Sequence, residues 1–133
     1  MKKLTSVILL ISVLLTAVFA GCGSTSSVWY GYRTGAVQRQ NSDMVSLSCE
    51  EFTGGVTYTI RVTDQQKLTI DSDITVENGS LEVTILDAEE NALFYGRIEE
   101  DWSFNTFLPD YGTYSIQIAA EEFKGSYEFS WKN

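Results

Sequence analysis

The stretch "LTIDSDITVENGSLEVTI", Leu68–Ile85, decides the fold of this chain. Apolar and polar residues alternate in each half of it, and this period of two is typical of a strand with one buried and one exposed face. The apolar positions are Leu68, Ile70, Ile74 and Val76 in the first half, and Leu81, Val83 and Ile85 in the second. Between the halves, Asn78-Gly79 favours a tight type I′ turn, so the stretch predicts a β-hairpin.

The same alternation recurs along the rest of the chain. Further inward-facing sets are Val45, Leu47 and Cys49; Tyr58, Ile60 and Val62; Tyr114, Ile116 and Ile118; and Tyr127, Phe129 and Trp131. Turn-prone breaks separate the runs at Gly54-Gly55, Asp64 to Gln66, Asp87 to Asn91, Pro109-Asp110 and Phe123 to Gly125. This pattern predicts an all-β domain over residues 44–133, an antiparallel β-sandwich of about seven to eight strands with a jelly-roll-like arrangement.

The N-terminus has the parts of a secretory signal peptide over residues 1–21. Two lysines precede the apolar run Leu4–Ala20, which ends in "FAGC" at residues 19–22. This ending resembles the lipobox of bacterial lipoproteins, although Phe19 stands where leucine is usual. The resemblance implies cleavage before Cys22, a diacylglycerol on its thiol, and a place on the extracytoplasmic face of the bacterial cell membrane. Two acyl chains are enough for a stable anchor.

Residues 22–43 are rich in Gly, Ser, Thr and Gln, with apolar weight only in "VWYGYRTGAV". This composition predicts a tether between Cys22 and the domain.

Composition excludes several classes of function. The net charge is −9, and removal of residues 1–21 would take away two lysines and no acid, which leaves −11. Such an acidic surface disfavours nucleic acid as a partner. The chain contains no histidine, the commonest general base and metal ligand. Cys49 falls on an apolar face beside two glutamates, so we expect a buried and unreactive thiol. These features predict a protein that is not an enzyme.

Three segments in the C-terminal half carry a second resemblance. "GSLEVTILDAEENALFYG", "YGTYSIQI" and "KGSYEFSW" resemble the bacterial pre-peptidase C-terminal type of β-sandwich domain over residues 78–132. With the lipobox and these three segments taken together, the chain resembles small lipoproteins of Gram-positive bacteria. The resemblance implies a jelly-roll-like fold and an accessory or binding role. Some relatives bind calcium or matrix proteins, but their ligand residues do not match this sequence position by position.

Carboxylates are the first candidate site residues. Asp71 and Asp73 point the same way from one strand, and Asp87 and Glu89 crowd one turn. Oxygen ligands of this kind suit Ca²⁺, which would be the only metal cofactor. The spacing of an EF-hand calcium loop is missing, so a solvated acidic face is the competing interpretation.

Aromatic residues are the second candidates. Trp102 and Tyr111 lie near predicted turns, and Trp29 lies in the predicted tether. Aromatic rings of this kind can stack on sugars when they are exposed. We therefore expect a non-catalytic binding or scaffolding domain, with an envelope protein as partner. The alternative is a carbohydrate- or calcium-binding module.

Overall fold

The computed structural model describes residues 25–62, 68–109 and 111–132. The predicted signal peptide, Cys22, the predicted turn at 64–66 and Asp110 lie outside these ranges. The strands are β1 (Thr25–Thr34), β2 (Val37–Gln40), β3 (Met44–Val62), β4 (Leu68–Leu86), β5 (Ala92–Ile98), β6 (Trp102–Leu108) and β7 (Gly112–Lys132). The predicted all-β class and its seven or eight strands are therefore confirmed.

All strand pairs are antiparallel, and three long strands form the centre of the sheet. The order is β1-β3-β7-β4-β5, while β2 pairs with β3 and β6 pairs with β4. The strands β1, β2, β5 and β6 each have one partner in the described part of the chain.

The long strands bend back on themselves near their middles. Leu47, which pairs with Tyr127 of β7, lies eleven residues before Tyr58 in β3. A straight strand would separate Leu47 from Tyr58 by about 36 Å. The hydroxyl oxygens of Tyr58 and Tyr127 nevertheless lie 2.6 Å apart in the interior. The sheet is therefore folded over, and its two halves face each other across one core.

Each half of the folded sheet is one layer of a sandwich. Layer A contains β2, β6 and residues 44–49, 68–76 and 125–132 of the long strands. Layer B contains β1, β5 and residues 52–62, 78–86 and 112–124. The bends lie at one end of the sandwich, which we call the corner end. Both termini of each long strand lie at the opposite end, which we call the open end.

The alternation changes phase once in each long strand. In β4 the buried positions are even-numbered up to Ile74 and odd-numbered from Leu81 onward. The pairing of β4 with β7 is shifted between Val76 and Ser80, and β3 has comparable shifts between Cys49 and Gly54. An extra residue in a strand bends it and moves the following side chains to the other face. Each bend thus keeps the apolar residues pointing into the core of both layers.

Three of the predicted turns are wrong, because they are corners inside continuous strands. Gly54-Gly55 lies within β3, Asn78-Gly79 within β4, and 123–125 within β7. Gly79 does have the positive φ that the sequence predicts. Its φ is +75°, and a Cβ there would overlap the carbonyl oxygen of Glu122. Positive φ at one position therefore makes a bend here and not a hairpin.

The segment 22–43, which the sequence predicts as a tether, contains two strands of the sheet from Thr25 onward. Residues of β1 pair with β3 from Thr25↔Ile60 to Thr34↔Glu51, and β2 pairs with β3 from Val37↔Ser48 to Gln40↔Val45. The backbone of this polar segment is held by the ladder to β3, which compensates for its small apolar content.

The core consists of the inward-facing residues of both layers. Every predicted inward set named above is buried, apart from the half-buried Val76. No helix long and apolar enough to cross a membrane occurs within residues 25–62, 68–109 and 111–132.

Candidate ligand-binding sites

Trp29 lies on the inner face of β1, because it pairs with the buried Val56. Its ring is 49% exposed, and the guanidinium carbon of Arg33 lies 3.7 Å from its centroid. Arg33 also lies 5.3 Å from the ring centroid of the buried Phe52. Trp29 is therefore occupied by an intramolecular cation–π contact.

Polar contacts join β1 to β2 beside this stack. Arg33 Nη1 donates to Gln38 Oε1 at 2.9 Å, and Ser27 Oγ donates to Gln40 Oε1 at 3.0 Å. These bonds connect layer B to layer A where the sandwich would otherwise open. We call this side, formed by β1 and β2, the polar edge.

Trp102 lies at the corner end of the opposite side, formed by β5 and β6. Its ring meets Phe104 edge to face, with 6.2 Å between centroids, and Phe104 stacks on Phe94 at 4.1 Å. We call this side the aromatic edge. Trp102 is 45% exposed and borders a surface hollow of about 520 Å³ together with Arg97 and residues 99–100.

Arg97 is surrounded by three glutamates on the surface that the structure describes. Its side chain lies 2.8 Å from Glu99, 3.6 Å from Glu82 and 3.8 Å from Glu121. The hydrogen bond to Glu99 raises the pKa of Arg97 above its ordinary value. The hollow beside Trp102 is thus lined by an arginine whose charge is already balanced.

Tyr111 and two of the predicted calcium ligands come together at the open end. Asp87, Glu89 and the 63% exposed Tyr111 line a pocket of about 370 Å³, with Leu93 and Pro109. Asp87 Oδ1 accepts hydrogen bonds from the backbone N–H groups of residues 89 and 91 at 3.0 and 2.8 Å. Because Asp87 organises its own turn in this way, its carboxylate has a structural role.

Asp71 and Asp73 lie on the outer face of layer A. Ser103 Oγ donates to Asp73 Oδ1 at 3.1 Å, and the Asn105 amide, with its nitrogen as donor, reaches Asp71 Oδ1 at 2.8 Å. Asp73 also lines a shallow groove of about 340 Å³. Within the residues that the structure describes, no three carboxylates or thiols are grouped closely enough to hold a metal ion.

Cys49 is buried, as the sequence predicts. Its side chain is on the inner face of β3, and Sγ lies 3.8 Å from the carbonyl oxygen of Phe123. Burial raises the pKa of the Cys49 thiol, which disfavours the reactive thiolate.

The outer face of layer B is a site that the sequence did not predict. One row across five strands contains Tyr30, Gly55, Ala119, Glu82 and Arg97, and the next contains Val28, Thr57, Gln117, Thr84 and Tyr95. Small or uncharged residues occupy β3 and β7 at the centre, and exposed tyrosines occupy the two edge strands. We call this surface the tyrosine face.

Tyr30 lies flat on the tyrosine face. Its ring atoms would be 2.6 Å from a Cβ on Gly55, so only glycine allows the ring to lie this close to the strand. Tyr30 is still 68% exposed, and Tyr32 and Tyr95 are 56% and 62% exposed. Tyr95 is fixed by a hydrogen bond from its hydroxyl to Glu82 Oε1 at 3.2 Å.

The alternation in "VWYGYR" could have revealed this face. Val28, Tyr30 and Tyr32 share one side of β1, and Trp29 and Arg33 share the other. Interpretation of the segment as a tether concealed this period of two.

No known sequence family matches the chain, and no curated protein matches it either. Several solved structures are similar over most of the chain. The chain is similar to the pre-peptidase C-terminal domain of a collagenase from Bacillus anthracis, with 16% identity, a TM-score of 0.44, and coverage of 85% of this chain and 91% of that one. This is the domain type that the sequence resembles.

Two carbohydrate-binding modules are also similar. One, from Cellvibrio mixtus lichenase 5A, was solved with cellotriose and has 13% identity, a TM-score of 0.38, and coverage of 80% of this chain and 92% of that chain. A CBM4 structure has 12% identity, a TM-score of 0.42, and coverage of 84% and 86%. Likenesses this distant do not assign a ligand to this chain.

Proposed function

We propose that the chain is a non-catalytic binding module, anchored through Cys22 to the outer face of a bacterial membrane, that holds a neutral carbohydrate chain on its tyrosine face. The observation that carries this proposal is a sheet surface with exposed tyrosines on both sides, on which the charges of Glu82 and Arg97 are paired with each other. Tyr30 and Tyr32 lie along β1, and Tyr95 lies about 19 Å away on β5, at four strand spacings.

The chemistry of this surface suits sugar rings. A tyrosine ring offers a flat apolar face and one hydroxyl, and sugars present apolar C–H faces between polar groups. The hydroxyl and amide groups of Thr57, Gln117 and Thr84 lie between the tyrosines and can bond to sugar hydroxyls. Recognition would then combine stacking at the sides with hydrogen bonds at the centre.

Charge favours a neutral ligand over an acidic one. The chain has a net charge of −9, and the ion-paired Glu82 and Arg97 are the charged residues in the two rows that define the tyrosine face. An anionic polysaccharide would be repelled by the whole molecule without a cationic patch to hold it. Neutral hexose or N-acetylhexosamine polymers are therefore the expected class.

Catalysis has little support from the side chains. The sequence contains no histidine, and the one thiol of the described chain is buried. Asp71, Asp73 and Asp87 each accept hydrogen bonds from neighbours, as described above. A binding role is consistent with these features.

The test is a titration of the chain from Gly23 to Asn133 with neutral oligosaccharides of glucose, xylose, mannose and N-acetylglucosamine. Binding is measured by calorimetry and by the shift in melting temperature. A ligand of the folded state raises the melting temperature by mass action. We expect Tyr30→Ala to abolish the response and Trp102→Ala, which removes an exposed ring elsewhere, to leave it unchanged. Binding that survives Tyr30→Ala and Tyr95→Ala, or no response to any oligosaccharide, would refute the proposal.

A protein partner is the second candidate, and the long edge strand β1 favours it. Along all ten residues, β1 pairs only with β3 in the described part of the chain, and Val28 is 74% exposed. Such an edge can accept a strand from another protein. This binding would use the backbone, so it would tolerate Tyr30→Ala and would not be inhibited by oligosaccharides.

A further inference from the structure

The first strand begins close to the proposed lipid anchor. Thr25 opens β1 and pairs with Ile60, and only Gly23 and Ser24 separate it from Cys22. An extended chain spans at most about 3.6 Å per residue, so the Cα atoms of Cys22 and Thr25 are at most about 11 Å apart. The link between a lipidated Cys22 and β1 is therefore too short to act as a tether. The domain must lie against the headgroup layer.

The end of the sandwich next to the anchor is the open end. Thr25 lies in one row with Ile60 and Tyr114, two residues from the terminus of β3 and two from the start of β7. The corner end begins at Thr34, nine residues farther along β1 and thus about 30 Å away. The anchor is therefore next to the open end and about 30 Å from the corner end, a difference large enough to measure.

Exposed aromatic residues are also present at the open end. Phe107, one residue before the end of β6, is 55% exposed, and Tyr111, just before β7, is 63% exposed. Aromatic side chains, and tyrosine in particular with its polar tip, are favoured at the boundary between headgroups and water. These two rings lie outside the tyrosine face, and the proposed carbohydrate site does not use them.

We propose that the open end is a membrane-contacting surface whose partner is the headgroup layer of the bilayer that holds the Cys22 lipid. The domain then stands upright, with the tyrosine face at a right angle to the membrane and the corner end outermost. This orientation rests on the anchoring part of the proposed function. It would present a bound carbohydrate chain beside the domain, at a height between the membrane and the corner end.

Electrostatics refine this orientation. The outer face of layer A carries Asp71, Asp73 and Glu128, so a domain lying on that side would press carboxylates against the headgroups. Asp87 and Glu89 bring acidic groups to the open end as well. Repulsion between like charges makes the contact closer on neutral than on anionic vesicles, and salt reduces the difference.

The experiment places one fluorophore at each end of the lipidated full chain. In a Cys49→Ser background, Ala88→Cys labels the exposed turn at the open end, and Glu100→Cys labels an exposed position at the corner end. The proteins are reconstituted in phosphatidylcholine vesicles that contain a lipid with a nitroxide on its headgroup. We expect the label at residue 88 to be quenched several-fold more strongly than the label at residue 100.

A linker variant supplies the matched control. Insertion of twelve Gly and Ser residues between Ser24 and Thr25 creates a flexible segment with an average span of about 20 Å. We expect this insertion to reduce the quenching at residue 88 and to leave the residue 100 label unquenched. Equal quenching of both labels in the parent chain, or stronger quenching at residue 100, would overturn the orientation. Quenching at residue 88 that survives the linker would support the orientation and assign it to the affinity of the open end and not to the short link.

The outcomes also separate the orientation from the proposed function. Oligosaccharide titration of the same vesicles tests the tyrosine face whatever the quenching shows. Failure of the lipid-modified chain to remain with the vesicles would overturn both the anchor and the orientation. Carbohydrate binding with equal quenching would overturn the orientation alone.

Discussion

The two edges of the folded sheet have the same plan and different chemistry. On each side, two strands shorter than β3, β4 and β7 replace one bent strand, and the connection between them lies at the corner end. The aromatic edge is closed by the stacked rings of Phe94 and Phe104. The polar edge is closed by Arg33 on the ring of Trp29, with a hydrogen bond to Gln38. A sandwich can thus close its sides with apolar stacking or with polar contacts. Only a side closed by apolar stacking shows an apolar pattern in the sequence of its strands.

Each edge contains buried polar atoms without a hydrogen-bond partner, and at the aromatic edge Thr106 Oγ1 of β6 is one of them. Arg33 Nε and Nη2 are buried atoms without a hydrogen-bond partner, although the stem and the guanidinium plane pack on Trp29 and Phe52. A buried donor without an acceptor costs free energy. We therefore expect packing, and not charge, to be the main stabilising contribution of Arg33.

The largest expected effect comes from deletion of β1 and β2. A chain that begins at Asn41 would keep the whole predicted sandwich domain and lose residues 25–40, exposing inner-face residues of β3 such as Val56 and Tyr58. We expect a loss of more than about 5 kcal/mol, which is comparable to the total stability of a small domain. Circular dichroism and urea unfolding would detect the loss of cooperative folding.

The control for this deletion is a chain that begins at Thr25. It removes only residues that precede β1 and should unfold as cooperatively as the chain from Gly23. A chain from Asn41 with unchanged stability would mean that β1 and β2 behave as the tether that the sequence predicts.

Removal of one ring from each edge gives the next largest effect. Phe104 is half-buried, stacks on Phe94 and meets Trp102 edge to face, so we expect Phe104→Ala to destabilise the fold by about 2 kcal/mol. Trp29 is 49% exposed, and Trp29→Ala should cost about 1 kcal/mol. Urea unfolding of the two variants measures the difference. A larger cost for Trp29→Ala would show that the polar edge contributes more stability than the aromatic edge.

Tyr58 and Tyr127 lie between the layers and belong to neither edge, so their contribution to stability can be compared with that of each edge. Burial raises the pKa of both Tyr58 and Tyr127 above the value of about 10 that they have in the unfolded chain. The two groups therefore contribute stability that is fully present below pH 10 and is lost as the pH rises toward their folded pKa values. We expect the free energy of unfolding to fall by up to about 1.4 kcal/mol per pH unit for each tyrosine as the pH rises above 10.

Replacement of both tyrosines tests this pH dependence. Tyr58→Phe with Tyr127→Phe removes both hydroxyls together, so no buried donor is left without a partner. Urea unfolding between pH 9 and pH 11 should show a shallower loss of stability in the double variant. An equally steep loss would assign the alkaline sensitivity to other groups.

The smallest expected effect is Arg33→Met at the polar edge. Methionine keeps an unbranched stem on Trp29 and Phe52 and removes two buried donors that lack partners. We expect a change within about 1 kcal/mol in either direction, because the lost hydrogen bond to Gln38 is offset by the removed desolvation cost. Arg33→Ala, which also removes the stem, should be the more destabilising variant in the same unfolding assay. A loss of several kcal/mol in Arg33→Met would show that charge closes this edge.

The inner faces could be predicted because alternation reports burial directly. The sets around Leu47, Tyr58, Leu81 and Tyr127 all point into the core. The corners could not be assigned, because Gly79 has the positive φ that also favours a hairpin. Whether such a residue reverses the chain or bends it depends on the neighbouring strand, and the partner of Gly79 lies more than forty residues away in β7.

The candidate sites were predicted only in part. Tyr111, Asp87 and Glu89 were chosen separately, and the structure brings them into one pocket. Trp29 was chosen for its ring, but Arg33 covers that ring. Tyr30 and Tyr95 share a face because β1 and β5 flank the same layer, and their separation in sequence does not indicate this.

The sequence by itself determined the all-β class and the inward face of each long strand, because a period of two in hydrophobicity follows from strand geometry. It also supplied the basis for the proposed anchor at Cys22. Tertiary structure decided that three predicted turns are corners, that a polar segment forms the edge strands β1 and β2, and that tyrosines from distant strands share one surface. These features depend on pairing between residues far apart in the chain, and local patterns do not specify which strands become neighbours.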